Sequence, residues 1–211
     1  MYSILEHYLS TNHILMIGMI VTFILTFFLL EHPFSFLPSD QGRAFAVNGS
    51  LSKGKLRGVG FIFVLCFLIS SVLFLPLDVE YVIYGILLFA MMISGYLDDA
   101  SKTPWNEYKK GLIDLVISVV AVLTYMNFNS TTICFGADEI VIPKALFLIL
   151  GVILIWVSVN VTNCTDGVDG LCASLCSVTL LAFGVLFASV LQKYAMANFL
   201  FLSVLFAYLY F

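Results

Sequence analysis

The sequence predicts an all-α polytopic membrane protein with about seven transmembrane helices, on two observations. Of its 211 residues 62% are hydrophobic and 10% charged, with a mean hydropathy of +1.08, whereas a soluble globular domain carries about 25% charged residues. Seven apolar runs, each near the roughly 20 residues needed to cross the hydrocarbon, cover most of the chain. They are about Ile14–Leu30, Val59–Leu75, Tyr81–Leu97, Leu112–Phe128, Ala145–Val161, Leu171–Leu191 and Ala195–Phe211. No repeat, low-complexity tract or soluble domain interrupts them, so residues 1–211 are read as a single integral membrane domain. Nucleic-acid binding has no support, because no basic patch lies outside the short loops. The five cysteines form no Cys-x-x-Cys and accompany no histidine cluster, and most of them are read as small buried hydrophobes.

A polar stretch, Glu6–Asn12, precedes the first run, which is long enough to span, so no cleavable signal peptide is read there. That run stops at Glu31-His32-Pro33. The link Asn48–Gly58 follows, with Lys53, Lys55 and Arg57 set among glycines. It has two readings: a flexible loop whose N–H groups and cations converge on a phosphate, or the positive flank that orients a membrane protein. Of the nine Lys and Arg residues, Arg43, Lys53, Lys55, Arg57, Lys102, Lys109 and Lys110 fall in the connections after the first and third runs. The positive-inside rule makes that side cytoplasmic and puts the N-terminus outside.

The third run ends in Leu97-Asp98-Asp99 on the same side. Adjacent carboxylates repel, and a divalent cation or a nearby base is what holds such a pair at a membrane surface; a solvated helix end is the plainer reading. Asn106 and Glu107 open the fourth helix as N-cap and early acid. Thr131–Ile142 holds two short β-prone pieces around Gly136-Ala137-Asp138, which predicts a small external hairpin.

Between the fifth and sixth runs stands Asn160-Val161-Thr162-Asn163-Cys164-Thr165-Asp166-Gly167-Val168-Asp169-Gly170-Leu171. Carboxylates are costly beside lipid unless they face water, a cation or a ligand, and the two glycines let the backbone approach one. The stretch is too rich in coordinating groups for a mere turn.

These two acidic motifs on one membrane face resemble those of the polyprenyl-phosphate N-acetylhexosamine-1-phosphate transferase superfamily, and the Thr165-Asp166-Gly167 form looks most like its phospho-N-acetylmuramoyl-pentapeptide transferase branch. Relatives that move N-acetylglucosamine phosphate usually carry Val or Ile before that Asp. The resemblance implies Mg²⁺-dependent transfer of phospho-N-acetylmuramoyl-pentapeptide (phospho-MurNAc-pentapeptide) from UDP to undecaprenyl phosphate, giving lipid I and UMP at the inner face of a bacterial plasma membrane, by a homodimer. It implies Asp98 as general base and metal ligand, with Asp99 in support. Asn163 and Asp166 would line the metal and diphosphate region, and Gly167, Val168 and Asp169 would sit beside the uracil. Lys102 and Lys110, with Lys109 the alternative to Lys110, match basic positions after the Asp pair, and Lys53 is the substrate-binding candidate of the first loop. Where family members read Gly-Thr-Pro-Thr-Met-Gly-Gly, this chain has Gly54-Lys55-Leu56-Arg57-Gly58-Val59-Gly60. Family members have about ten transmembrane helices and, beyond the seventh, a Phe-x-Gly-Asp-x-Gly-Ser loop and a histidine-rich loop. Neither loop occurs here, so the sequence is read as the N-terminal part of such an enzyme.

Two rivals have different signatures. An intramembrane prenyltransferase needs closely repeated Asp-x-x-x-Asp motifs, and an ion-coupled transporter needs carboxylates near mid-helix, where Asp114 is the only acid well inside a run.

Overall fold

The computed structural model describes residues 1–32, 34–39, 54, 56–101, 103, 105–135, 138–165 and 170–211. Every apolar run is a helix. After a single turn, α1 (Tyr2–Leu5), come α2 (Thr11–Glu31), α3 (Gly60–Phe74), α4 (Val79–Ala100), α5 (Glu107–Phe128), α6 (Lys144–Thr165), α7 (Leu171–Phe187) and α8 (Gln192–Tyr208). The predicted hairpin also forms: β1 (Thr132–Phe135) pairs antiparallel with β2 (Asp138–Val141), Thr132 opposite Val141. Its base is closed by Ile142 N donating to Thr131 O at 3.0 Å and Thr131 Oγ1 donating to Ile142 O at 2.8 Å.

Among the described residues α2, α4, α5 and α6 are long and apolar enough to cross a membrane, at 21 or 22 residues each. α3 and α7 fall short of the predicted runs, and α8 keeps the predicted length but starts three residues earlier. α3 has 15 residues, a rise of about 22 Å, because Leu75 turns extended ahead of Pro76. The sixth run is cut at Phe187, where Leu191 N folds back on Phe187 O at 2.8 Å and starts α8.

The chain divides into two compact units. The first comprises Met1–Pro76, Met92–Pro104 and Ala173–Phe211. Its core is α2 packed on α3 and α8, with Ile14, Leu200 and Val204 fully buried. Gly18 lets these helices meet: a Cβ there would stand 3.1 Å from both Leu200 Cδ2 and Phe74 Cγ. One turn apart on the same face lie Thr22 and Thr26, also fully buried, so small side chains line the contact as they do between membrane helices generally. Phe67 of α3 and Phe201 of α8 fill the neighbouring space with ring centroids 4.9 Å apart.

The second unit comprises Leu77–Met91 and Trp105–Cys172. Here α5 packs on α6; Val122 seats against Gly151, whose added Cβ would meet Val122 Cγ1 at 3.0 Å. Tyr125 stacks on Phe147 at 5.6 Å. Glu80, buried at 4% exposure, accepts from Asn129 Nδ2 at 2.6 Å and Tyr84 Oη at 3.0 Å, which ties the start of α4 to the end of α5. Asn106 is the N-cap of α5 as predicted, its Oδ1 accepting from Tyr108 N at 3.1 Å. No residue of α6 is buried, and Ile149, Ile153 and Leu154 are among its exposed apolar side chains. Such a surface suits lipid, and the protein is membrane-embedded.

Gly18→Leu is expected to overpack the α2–α8 contact and destabilise the first unit by about 1–3 kcal/mol. Ile20→Leu, at a position 57% exposed, should leave stability unchanged. Thermal unfolding in detergent distinguishes the two.

Candidate functional site

Asp98 and Asp99 occupy the last turn of α4 and are half-buried. The placement is electrostatically adverse twice over: the carboxylates repel one another, and the C-terminal end of a helix carries partial negative charge. A cation offsets it. Arg57 Nε lies 3.9 Å from Asp99 Oδ1, both side chains about a third exposed. Ser101 closes the helix end, its N–H donating to Asp98 O at 3.1 Å; its hydroxyl lies 2.8 Å from that same oxygen and 2.6 Å from Thr103 O.

Arg57 is brought there by a strap of backbone. Its N–H donates to Pro38 O at 2.7 Å, beside an antiparallel bridge between Ser39 and Leu56. Gly58 then turns with φ +70°, a left-handed value that suits glycine, and a Cβ there would face Tyr96 Cδ2 at 3.4 Å and Pro38 Cδ at 3.5 Å. Tyr96, one turn before Asp99 on α4, donates its hydroxyl to Phe36 O at 2.9 Å. Its ring packs with Phe61 at 5.1 Å and Phe36 at 6.2 Å, above buried Leu37, Ile62 and Cys66. An apolar ledge thus fixes the strap against the helix that carries the aspartates.

The asparagine-rich motif begins on a helix. The apolar run ends near Val161, but α6 continues to Thr165, so Asn160 and Asn163 are helical residues and not part of the loop. The reason is local: Asn160 Nδ2 donates to Trp156 O at 2.8 Å and Thr165 Oγ1 to Val161 O at 2.9 Å, so these side chains bond back one turn and leave the helix intact. Asn163 is exposed. Trp156 Nε1 donates to Gly111 O at 2.9 Å, fixing this end of α6 to α5. Gly170, at φ +77°, starts α7.

Lys110, half-buried on α5, lies 3.9 Å from Glu107 Oε1. Lys109 Nζ sits 3.3 Å above the Trp105 ring. Of the ten residues the sequence singles out, Asp98 and Asp99 fall in the first unit and Asn163 and Lys110 in the second. Lys53, Lys102, Asp166, Gly167, Val168 and Asp169 lie outside the described residues. From the sequence, Arg57 stood only as one of the three bases of the link, and Tyr96 carried no reading. The signal for Tyr96 was its spacing of three from Asp99 on a helix, which puts both on one side.

Among the described residues no group of three or more His, Cys, Asp and Glu gathers as a metal cage. The donor chemistry of the aspartate pair nevertheless fits Mg²⁺, which takes one or two carboxylates and leaves its other positions to water and phosphate oxygens.

The profile of the glycosyl transferase family 4 matches residues 81–211. Phospho-N-acetylmuramoyl-pentapeptide-transferases from two strains of Treponema pallidum are each 34% identical over 189 residues, covering 87% of this chain and 52% of theirs. The protein of that name from Gloeothece citriformis is 28% identical over 120 residues, 53% of this chain and 33% of its own. The chain spans about half the length of the Treponema relatives.

Replacing each of two glycines of this region by alanine should have opposite effects. Gly58→Ala forces a side chain into a left-handed conformation and is expected to cost about 1–2 kcal/mol. Gly95→Ala, in helix α4 with nothing within 4 Å of the new Cβ, should stabilise by up to about 1 kcal/mol. Equilibrium unfolding in detergent reads both.

Proposed function

The chain belongs to the glycosyl transferase family 4, and from that premise we propose that it carries part of a phospho-sugar transferase of peptidoglycan synthesis. The reaction moves phospho-N-acetylmuramoyl-pentapeptide from UDP to undecaprenyl phosphate, forming lipid I and UMP. The observation that carries the reading is the similarity to transferases of that name along 87% of the chain, together with a half-buried aspartate pair held at a helix end beside a cation. Thr165 before Asp166 favours the muramoyl substrate over N-acetylglucosamine phosphate.

Two phosphate-bearing substrates repel, so the site must neutralise the diphosphate and help the acceptor lose its proton. Asp98 takes the proton from the acceptor phosphate as general base, and Asp99 supports it. The acceptor oxygen then bonds to the phosphorus that carries the sugar, and the bond from that phosphorus to the oxygen retained by UMP breaks. Asp98 and Asp166 would hold Mg²⁺, which would supply charge neutralisation at the phosphate oxygens. Asn163 and Asp166 line the diphosphate region, and Gly167, Val168 and Asp169 contact the uracil. Lys53, Lys102 and Lys110 offer cations to the phosphates, Lys109 standing in for Lys110 if the register differs by one.

The membrane is the bacterial plasma membrane. Seven of nine Lys and Arg residues lie in the connections after the first and third runs, which supports a cytoplasmic site and an external N-terminus. Residues 1–211 act as one integral membrane domain within a homodimeric enzyme.

The test is UMP release from UDP-MurNAc-pentapeptide by the full-length protein in detergent, with Mg²⁺ and undecaprenyl phosphate. Asp98→Asn should lower kcat by roughly 10²–10⁴-fold while UDP-sugar binding, read by calorimetry, is kept. Release of UMP from UDP-N-acetylglucosamine alone would redirect the assignment to the other branch. Full turnover by Asp98→Asn would remove the base.

A further inference from the structure

The loop before α3 contributes a residue that the proposed chemistry does not use. Arg57 lies upstream of residues 81–211, which the family profile matches, and it stands in a stretch where the loop departs from Gly-Thr-Pro-Thr-Met-Gly-Gly. Its placement is nonetheless specific. The 2.7 Å bond from its N–H to Pro38 O, the left-handed turn at Gly58 and the Tyr96 ring packed over that turn leave the strap little freedom. Tyr96 and Asp99 are one turn apart on α4, so the ledge that holds the strap and the carboxylate that meets Arg57 belong to one rigid helix.

We propose that Arg57 is a positioning residue for the transfer reaction: by pairing with Asp99 it fixes the end of α4 and thereby the aim of Asp98. The inference rests on the proposed transfer function. An ion pair as exposed as this one adds little to stability, so its effect lies in geometry. Without the cation, the repulsion of Asp99 by its neighbouring carboxylate and by the helix terminus would be less well balanced, and the last turn of α4 would shift with Asp98 on it. Displacements of about 1 Å at reacting groups cost on the order of 100-fold in rate. Asp98 remains the group that meets substrate; Arg57 acts through Asp99.

The experiment is a double-mutant cycle in the full-length enzyme, with Arg57→Ala, Asp99→Asn and the double variant. UMP release, substrate KM values and the thermal midpoint are measured for each. Wild-type turnover is read first, and its absence overturns the transfer function and this inference together. With an active wild type, Arg57→Ala should lose roughly 10–100-fold in kcat, with KM for both substrates within about threefold and the midpoint unchanged. Arg57→Lys, which keeps a cation, should recover most of the loss. In the double variant the Arg57 change should add less than about twofold to the loss from Asp99→Asn, as coupled residues do.

Unchanged kcat in Arg57→Ala, or losses that multiply in the double variant, would overturn the role of Arg57 alone. So would a rise in KM for undecaprenyl phosphate with kcat kept, which would make Arg57 a phosphate contact instead. If Arg57→Ala does not fold, Arg57→Gln replaces it in the cycle. Failure of both to fold would make Arg57 a structural residue and end the proposal.

Discussion

Lipid offers no hydrogen bonds, so every polar group inside a span must find its partner within the chain. The helices meet this demand for the backbone, and the hydroxyls follow the same rule one turn at a time. Thr26 Oγ1 donates to Thr22 O, Ser71 Oγ to Phe67 O, Thr124 Oγ1 to Val120 O and Ser203 Oγ to Phe199 O, all at 2.8–3.0 Å. Among the described residues Thr22 Oγ1 and Ser70 Oγ are buried exceptions with no hydrogen-bond partner, at a cost of about 1–3 kcal/mol each.

The same constraint sorts the sequence along each helix. Since lipid tails are as apolar as the side chains, association depends on close packing, and the glycines at 18, 151 and 184 mark where it is closest. A Cβ at Gly184 would stand 3.0 Å from the Phe199 ring. Charged groups are pushed toward helix ends and connections, which is why the candidate site residues lie there. Asp98 and Asp99 finish α4, Lys109 and Lys110 begin α5, and Asn163 sits on the final turn of α6.

Charge at a helix end then has to be balanced locally. Asp99 sits at a negative terminus beside a second carboxylate, and the balancing cation comes from a segment 42 positions earlier in the chain. The device that delivers it is mostly apolar: Phe36, Phe61 and Tyr96 form the surface on which the Arg57 strap rests. Packing rather than ion pairing therefore sets the distance between the two charges, and a pair this exposed adds little to stability.

Hydropathy alone determined that seven helices would form, because a span must be apolar for most of its length whatever it packs against. The Asn106 cap and the hairpin were equally legible, since both depend on residues within a few positions of each other. The acidic motifs, and with them the family, were legible because their chemistry is compressed into short runs. Two helix lengths were not legible, and one contact was left to tertiary structure. The length of α6 was misread because the polar side chains of Asn160 and Thr165 look like loop but bond back to their own helix. The shortness of α3 followed from the extended turn at Leu75. The meeting of Arg57 with Asp99 could not be read from either motif, because it is set by how Phe36 and Gly58 seat on Tyr96, a contact between segments that carry no local mark of one another.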